Sequence, residues 1–176
     1  MAPCEYPRSV SESAAGSSLL DRLLPGPVAL DTAVFIYFIE GHPSYAPLLQ
    51  PVFDAIDDFD LPACTSALTL LETLVQPLRK GNQRLAEIYR AYLTGSESLE
   101  LVELDLPCLR TAAQLRAVHG VKTPDALQLA AAVDCGCTAF LTNDRRLPQL
   151  PGLRILCLDD LLPQDLVMQP PPPPYD

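Results

Sequence analysis

The chain has 176 residues, about the length of one average domain, and 48% of them are apolar, which is enough to form a hydrophobic core. Its 22 acidic residues outnumber its 12 basic residues and leave a formal net charge of -10, which excludes a basic surface that coats DNA or anionic lipid as the main function. No apolar run approaches the roughly 18 residues of a membrane span, and a secretory signal is absent. We therefore expect a cytoplasmic protein that contacts no membrane.

The two ends of the chain differ in composition from its middle. Residues 1–27 are rich in Ser, Pro and Gly and predict an N-terminal extension, in which Leu19 and Leu23 have the spacing of one amphipathic turn. Residues 163–176 contain five consecutive prolines, which predict a proline-rich tail of polyproline II conformation. We expect the domain itself to span residues 28–162.

Between these ends, short apolar runs alternate with helical patterns. The apolar runs predict strands at residues 28–30, 61–64, 99–104, 138–141 and 154–158. The helical patterns predict helices at residues 34–39, 45–59, 65–76, 83–93, 108–118 and 124–136. The third of these helices is expected to end at Gln76, because Pro77 disfavours a helical conformation in the residue before it. The alternation of strands and helices is typical of an α/β domain with a mostly parallel sheet.

The six cysteines are expected to remain reduced, because no export signal directs the chain to an oxidising compartment. Only Cys135 and Cys137 lie close together in the sequence, and no second cysteine pair or histidine pair accompanies them. The ligand spacing of a structural zinc site is therefore missing.

Three acidic residues have positions that suit chemistry and also have ordinary structural explanations. Asp31 follows the first predicted strand and Asp144 follows the fourth, and parallel sheets bind ligands at the carboxyl ends of their strands. Asp31 would equally well cap a helix, and Asp144 would suit a turn. Asp125 lies behind Pro124 in the first turn of a predicted helix, where the helix dipole favours an acid. Each of these signals is weak when it is taken alone.

Glu72 is harder to explain by structure alone. It interrupts the apolar run at residues 68–75, and on a helix its neighbours at i-4 and i+3 are Leu68 and Val75. A carboxylate among aliphatic side chains must be paired, protonated or bound to a cation. Arg79, two turns further along the helix, is the alternative partner.

The four acids gain meaning if they meet at one edge of the sheet. Carboxylates about 6 Å apart repel one another by about 3 kcal/mol per pair at an effective dielectric constant of about 20. Six such pairs would exceed the whole stability of a typical domain, about 5 to 15 kcal/mol. Such a cluster requires cations or protons, and its hard oxygen ligands suit Mg²⁺ or Mn²⁺. The chemistry that these ions support is metal-assisted hydrolysis of phosphodiester bonds.

Four segments of the chain resemble the motifs of PIN-domain nucleases, especially the VapC-type toxins of bacterial toxin–antitoxin pairs. These segments are residues 28–37, Thr65-Ser66 followed by Glu72, residues 122–130 and residues 139–145. They occur in the expected order between Val28 and Asp160. The resemblance implies a three-layer α/β/α fold with a mostly parallel central sheet, whose acids bind one or two Mg²⁺ or Mn²⁺ ions and cleave RNA. By position, these catalytic and metal-binding acids are Asp31, Glu72, Asp125 and Asp144.

The resemblance also implies supporting residues and partners. Thr142 would support the last carboxylate, and Thr32 would lie in the first loop. Many relatives carry Asn or Ser where this chain has Ala33, which predicts a difference in metal affinity or substrate positioning. An antitoxin protein is the implied partner, and many relatives form homodimers.

Basic residues beside the third and fourth motifs are candidates for contacts with RNA phosphates. These residues are Lys122, Arg145 and Arg146. Their alternative role is that of ordinary solvated charges on the surface.

Other functions remain open at this point. His42 and His119 could support cleavage of RNA by acid–base catalysis without a metal, although one lies in a turn and the other ends a helix. The chain could also be a PIN-like RNA-processing nuclease, or a module that binds an antitoxin or another partner and cleaves RNA weakly. The presence of all four acids favours the nuclease.

Overall fold

The computed structural model describes residues 18–162, so most of the predicted extension and the whole proline-rich tail lie outside the described residues. The strands are β1 (Val28–Leu30), β2 (Ala63–Ser66), β3 (Leu99–Val102), β4 (Ala139–Thr142) and β5 (Arg154–Cys157). The α-helices are α1 (Leu19–Leu23), α2 (Thr32–Ile39), α3 (Ala46–Asp57), α4 (Ala67–Arg79), α5 (Gln83–Gly95), α6 (Leu106–His119) and α7 (Thr123–Asp134). A 3₁₀ turn (Leu158–Leu161) follows β5.

The five strands form one sheet in the order β3-β2-β1-β4-β5, and every neighbouring pair is parallel. In the central strand β1, Ala29 is in register with Cys64 of β2 and with Phe140 of β4. Successive side chains of a strand point to opposite faces, and accordingly Val28 and Leu30 pack in one core while Ala29 packs in another. The predicted α/β/α fold with its parallel central sheet is confirmed.

Helices cover both faces of the sheet. The larger core contains the buried rings of Phe35 from α2 and Phe53 from α3, together with Leu19 and Leu23 of α1. The opposite core contains Leu129 of α7. The five cysteines within residues 18–162 are free thiols. None of the helices in this part of the chain is long and apolar enough to span a membrane.

The helix that precedes Pro77 is longer than the sequence predicted. Its expected end was Gln76, but α4 continues to Arg79 with Pro77 inside it. Pro77 is buried, and α4 packs against α5. We attribute the longer helix to this packing, which offsets the backbone hydrogen bond that proline cannot donate.

The second strand lies two residues later than predicted, at Ala63–Ser66 instead of 61–64. Ser66 ends β2 and caps α4, since its hydroxyl accepts a hydrogen bond from the backbone N–H of Leu68 (3.2 Å). Thr65 instead turns its hydroxyl toward β1 and donates to the backbone carbonyl of Leu30 (2.8 Å). This contact ties the start of α4 to the carboxyl end of the central strand.

Candidate functional site

The carboxyl ends of β1 and β4 bring two of the predicted acids to one edge of the sheet. Asp31 follows β1 directly and caps α2, where its Oδ1 accepts a hydrogen bond from the backbone N–H of Thr32 (2.7 Å). Thr142, the last residue of β4, donates its hydroxyl proton to Oδ2 of Asp31 (2.6 Å). The same hydroxyl accepts from the backbone N–H of Asp144 (3.0 Å). Thr142 therefore connects the first predicted acid to the loop of the last.

Asp31 carries a strongly perturbed carboxyl group. Burial desolvates the carboxylate and raises its pKa to about 6. The negative charges of Glu72 and Asp125 raise this pKa further, whereas hydrogen bonds from Thr142 and Thr32 oppose the rise. The free energy of the ionised form therefore falls whenever a positive charge approaches Asp31.

Glu72 of α4 approaches the same place from a neighbouring helix. The hydroxyl of Thr32 donates to its Oε2 (2.5 Å). The sequence left open an ion pair with Arg79, but the ion pairs among the described residues include none between these two side chains. The hydroxyl of Thr32 thus gives Glu72 the partner that its apolar sequence surroundings demanded.

Asp144 and Asp125 form a second and more open group of acids. Arg146 donates to both carboxylate oxygens of Asp144, from Nε to Oδ1 (2.8 Å) and from Nη2 to Oδ2 (2.6 Å). These hydrogen bonds lower the pKa of Asp144. The pKa of Asp125 is raised, first by burial and then by the charge of Asp144, while the charges of Arg146 and Lys122 oppose the rise. Arg146 therefore acts as a counter-ion for both acids.

The four acids are electrostatically coupled, but they do not form a finished coordination sphere. The charges of Glu72 and Asp125 raise the pKa of Asp31, and the charge of Asp144 raises the pKa of Asp125. Within residues 18–162, no three carboxylate, histidine or cysteine side chains are grouped so that they could hold a metal ion. From the sequence we expected the four carboxylates to lie closer to one another. Two side chains account for part of the difference, because Glu72 is turned onto a threonine hydroxyl and Asp144 onto an arginine.

A cleft of about 570 Å³ opens beside Asp31 and Glu72. One wall is apolar and includes Ala33 and Leu71, and Arg146 also lines the cleft. Leu71 is 61% exposed, although it is a large apolar side chain. The cleft therefore combines a negatively charged part with an apolar surface that water contacts.

Two of the three basic candidates are paired with acids. Arg145 forms an ion pair with Asp160 (2.7 Å), and Arg146 is held by Asp144. The side chains of both arginines remain well exposed, at 60% and 76% of their surface. Lys122 is exposed at the N-cap of α7 and acts on the site through its charge.

The histidines lie outside this cleft. The Nδ1 atom of His42 accepts hydrogen bonds from the backbone N–H groups of Ser44 (3.3 Å) and Tyr45 (3.4 Å), and burial lowers the pKa of the ring. His119 is the exposed last residue of α6. Neither side chain lines the cleft beside Asp31.

A buried polar network beneath the acids was not predicted. The amide nitrogen of Gln128 on α7 donates to the hydroxyls of Thr32 (2.9 Å) and Thr69 (2.9 Å). Thr69 in turn is hydrogen-bonded to Thr65 (2.8 Å). The available signal was a glutamine within the otherwise apolar run at residues 126–133. A buried amide requires partners, and the sequence alone could not identify them.

Comparison with known families and structures agrees with this architecture. The model of the family described as PIN domain matches residues 28–153. No curated protein sequence matches the chain. The matched range begins with the central strand and includes all four predicted acids.

Three similar solved structures share the fold at low sequence identity. A toxin–antitoxin complex from Klebsiella pneumoniae has a TM-score of 0.54 and 18% identity, over 72% of this chain and 94% of its own. VapBC2 from Rickettsia felis, bound to a DNA fragment from its promoter, has a TM-score of 0.55 and 20% identity, over 74% and 97%. DNA-bound VapBC from Salmonella typhimurium has a TM-score of 0.54 and 24% identity, over 74% and 97%.

Proposed function

Because the chain belongs to the PIN domain family, we propose that it is a metal-dependent endoribonuclease and the toxin of a toxin–antitoxin pair. The proposed catalytic carboxylates are Asp31, Glu72, Asp125 and Asp144. The observation that carries the proposal is that Asp31 and Glu72 line one cleft at the carboxyl edge of the sheet, where burial and the charges of Glu72 and Asp125 raise the pKa of Asp31. A site with this excess of negative charge is suited to a cation.

PIN nucleases generally use divalent metal ions, and the residues of this site fit Mg²⁺ or Mn²⁺ by their chemistry. The donors are carboxylate oxygens, the ligand type that these hard ions prefer. The four acids would hold one or two ions. When bound, such an ion polarises a phosphoryl oxygen and activates water for attack on phosphorus. For the full set to act, Asp144 must exchange Arg146 for the ion. Glu72 can bind the ion and keep the hydrogen bond from Thr32, because a carboxylate has several lone pairs to share.

The protein's own side chains orient the acids and bind the substrate. Thr142 and the backbone N–H of Thr32 each hold one oxygen of Asp31, which fixes the plane of this carboxylate. Lys122, Arg145 and Arg146 are the proposed contacts with RNA phosphates, as exposed cations near the third and fourth motifs. When Arg146 moves from Asp144 to a phosphate, that acid becomes available to a cation.

An antitoxin is the proposed protein partner. The three similar structures are toxin–antitoxin complexes by their descriptions, two of them with DNA. The cleft beside Asp31 has an apolar wall with the exposed Leu71, and such surfaces commonly mark protein-binding sites. A homodimer and a cytoplasmic location stay predictions.

The test is cleavage of RNA by the purified protein with Mg²⁺ or Mn²⁺. We expect cleavage that EDTA stops, and a loss of at least about 100-fold in Asp125→Asn, because a ligand of the cation is weakened. Asp134→Asn, at the far end of the same helix, is the matched control and should cleave as the wild type does. Equal cleavage by wild type and Asp125→Asn would indicate a contaminating nuclease and contradict the proposal.

The second candidate is a partner-binding module that cleaves RNA weakly or not at all. The observation in its favour is Arg146, which already neutralises Asp144 in the protein alone. This candidate predicts antitoxin binding without metal-dependent cleavage. A third reading, an RNA-processing nuclease, predicts cleavage without an antitoxin encoded next to it.

A further inference from the structure

Gln128 is an amide side chain buried beneath the site. Only 5% of the residue is exposed, and it lies among the buried apolar residues of α7. Its Nε2 donates two hydrogen bonds, but its Oε1 is the one buried side-chain polar atom within residues 18–162 that has no hydrogen-bond partner. Burying an unpaired carbonyl oxygen is costly. Because Oε1 gains no hydrogen bond, the reason for burying an amide here must lie in the two hydrogen bonds that Nε2 donates.

The protons of the threonine hydroxyls can be assigned one by one, because each hydroxyl has a single proton to donate. The carboxylate of Glu72 only accepts, so Thr32 donates its proton there (2.5 Å). The backbone carbonyl of Leu30 only accepts, so Thr65 donates its proton there (2.8 Å). The hydrogen bond between Thr65 and Thr69 (2.8 Å) must then use the proton of Thr69.

This assignment leaves the oxygens of Thr32 and Thr69 3.2 Å apart with no proton between them. The NH₂ group of Gln128 has two protons and supplies one to each oxygen, at 2.9 Å in both cases. The opposite orientation of the amide would place Oε1 against two oxygens that have no proton left. The chemistry of the network therefore fixes which way the amide of Gln128 points.

We propose that Gln128 is a positioning residue for Glu72 and acts through Thr32. Because the amide donates to both threonine oxygens, Thr32 can donate its only proton to the carboxylate of Glu72. Without the amide, the oxygens of Thr32 and Thr69 would face each other at 3.2 Å with no proton between them. Thr69 can supply a proton only by giving up its hydrogen bond to Thr65 (2.8 Å), so we expect Thr32 to turn away from Thr69 and Glu72 to lose the donor that holds it. The value of this arrangement for cation binding rests on the proposed function, but the hydrogen-bond exchange itself does not.

The first test is the Mn²⁺ affinity of Gln128→Met, measured by the EPR signal of free Mn²⁺. Methionine keeps the length of the side chain and removes both donors. We expect affinity about tenfold weaker than that of the wild type, the lower range for loss of a residue that orients a metal ligand. Leu129→Met is the matched control, because Leu129 is a buried residue of the same helix that packs in the core with Ala29 and Phe140. This variant should bind Mn²⁺ as the wild type does.

The second test is a rescue that a merely structural role would not produce. Adding Thr69→Val to Gln128→Met removes the oxygen that faces Thr32, so the hydroxyl of Thr32 can return to Glu72. We expect the double variant to recover most of the lost Mn²⁺ affinity. If Gln128→Met binds within about twofold of the wild type, or if Thr69→Val brings no recovery, the inference is wrong.

Crystal structures of the same variants separate the two possible failures. If the wild type does not bind Mn²⁺, the proposed function fails. The distance between Thr32 Oγ1 and Glu72 Oε2 in the crystal structures then tests the positioning role of Gln128 by itself. We expect this hydrogen bond to be lost in Gln128→Met and restored in the double variant that also carries Thr69→Val. Its persistence in Gln128→Met would overturn the inference. Should Gln128→Met fail to fold, Gln128→Leu, which also removes both donors and adds no charge, replaces it with the same expectations.

Discussion

The two halves of the candidate site hold their acids by opposite means. Around Asp31, the protein buries a carboxylate, surrounds it with neutral donors and two further acids, and raises its pKa to about 6. Around Asp144, Arg146 forms hydrogen bonds with a partly exposed carboxylate and lowers its pKa. The first half is deficient in positive charge, while the second half supplies its own. The hydroxyl of Thr142 joins the two halves directly.

This contrast indicates that one part of the site is held rigidly by the fold and the other part can rearrange. The half around Asp31 is built on β1, α2, α4 and α7, elements that the core and the network beneath it keep in place. The half around Asp144 lies in the loop after β4, where a side-chain ion pair can open without disturbing the sheet. We infer that the buried half supplies the lasting attraction for a cation and that the open half adjusts when cation or RNA arrives.

The largest expected effect comes from removing the charge of the buried half. Asp31→Asn should lower metal-dependent RNA cleavage by at least about 100-fold, because the carboxylate with the strongest attraction for the cation is lost. Asp105→Asn is the matched control, since Asp105 also caps a helix through its side chain but lies on α6. Rates measured on one RNA substrate check the prediction. Equal losses in both variants would show that the loss of a negative charge at a helix N-terminus, and not the site, is responsible.

The buried half should also show itself in the pH dependence of stability. The folded protein raises the pKa of Asp31 from 3.8 to about 6, so it favours the protonated form. The stability that this preference contributes is complete below about pH 4 and is lost as the pH rises through about 6. Relative to Asp31→Asn, the wild type should therefore lose up to about 3 kcal/mol of unfolding free energy between pH 4 and pH 7.

Urea denaturation of both proteins at several pH values measures this difference. The experiment is performed in EDTA, because a bound cation would stabilise the ionised form of Asp31. If the difference in unfolding free energy between the two proteins is the same at pH 4 and pH 7, the folded protein does not raise the pKa of Asp31, and this prediction is wrong.

A smaller effect is expected from cutting the connection between the halves. Thr142→Val removes the hydrogen bond to Asp31 and the acceptor of the Asp144 backbone N–H, and should destabilise the fold by about 1 to 3 kcal/mol. Thr138→Val, just before the other end of β4, is the control, because Thr138 is exposed and its hydroxyl makes only a long contact with Pro27 (3.4 Å). Chemical denaturation of both variants gives the comparison. Equal destabilisation by the two would mean that the Thr142 hydroxyl is not special.

The smallest effect is expected in the open half. Arg146→Gln removes a guanidinium that competes with a cation for Asp144, and should strengthen Mn²⁺ binding by about fivefold, as expected for a screened charge near the surface. Arg145→Gln removes a neighbouring exposed arginine that pairs with Asp160 instead, and should change little. Titration with Mn²⁺ monitored by EPR compares them. Weaker binding in Arg146→Gln would contradict the competition.

The sequence was sufficient for the parallel sheet, because periodicity and the alternation of strands with helices are local properties. It also indicated correctly that Glu72 could not stand alone among aliphatic neighbours. It did not identify the partner, since Thr32 lies 40 positions away and approaches only after α2 and α4 pack together. Pro77 misled the prediction for the same kind of reason: burial against the rest of the fold outweighed a local preference of the backbone.

The side-chain partners in the site were the least predictable part. The network of Gln128, Thr32 and Thr69 draws on three helices, and no spacing in the sequence marks residues that meet in this way. Arg146 was expected to contact RNA, and the structure shows it on Asp144, two residues away in the same loop. Both roles are compatible if the arginine exchanges one anion for another, and the contact with RNA stays a prediction.

The most direct test of the account is a crystal structure of the wild-type protein soaked with Mn²⁺, with the anomalous signal used to place the ion. We expect density for one or two ions in contact with Asp31 and with at least two of the other proposed ligands, and Arg146 withdrawn from Asp144. A saturated crystal with no ion beside Asp31, and with Arg146 still on Asp144, would contradict the proposed function.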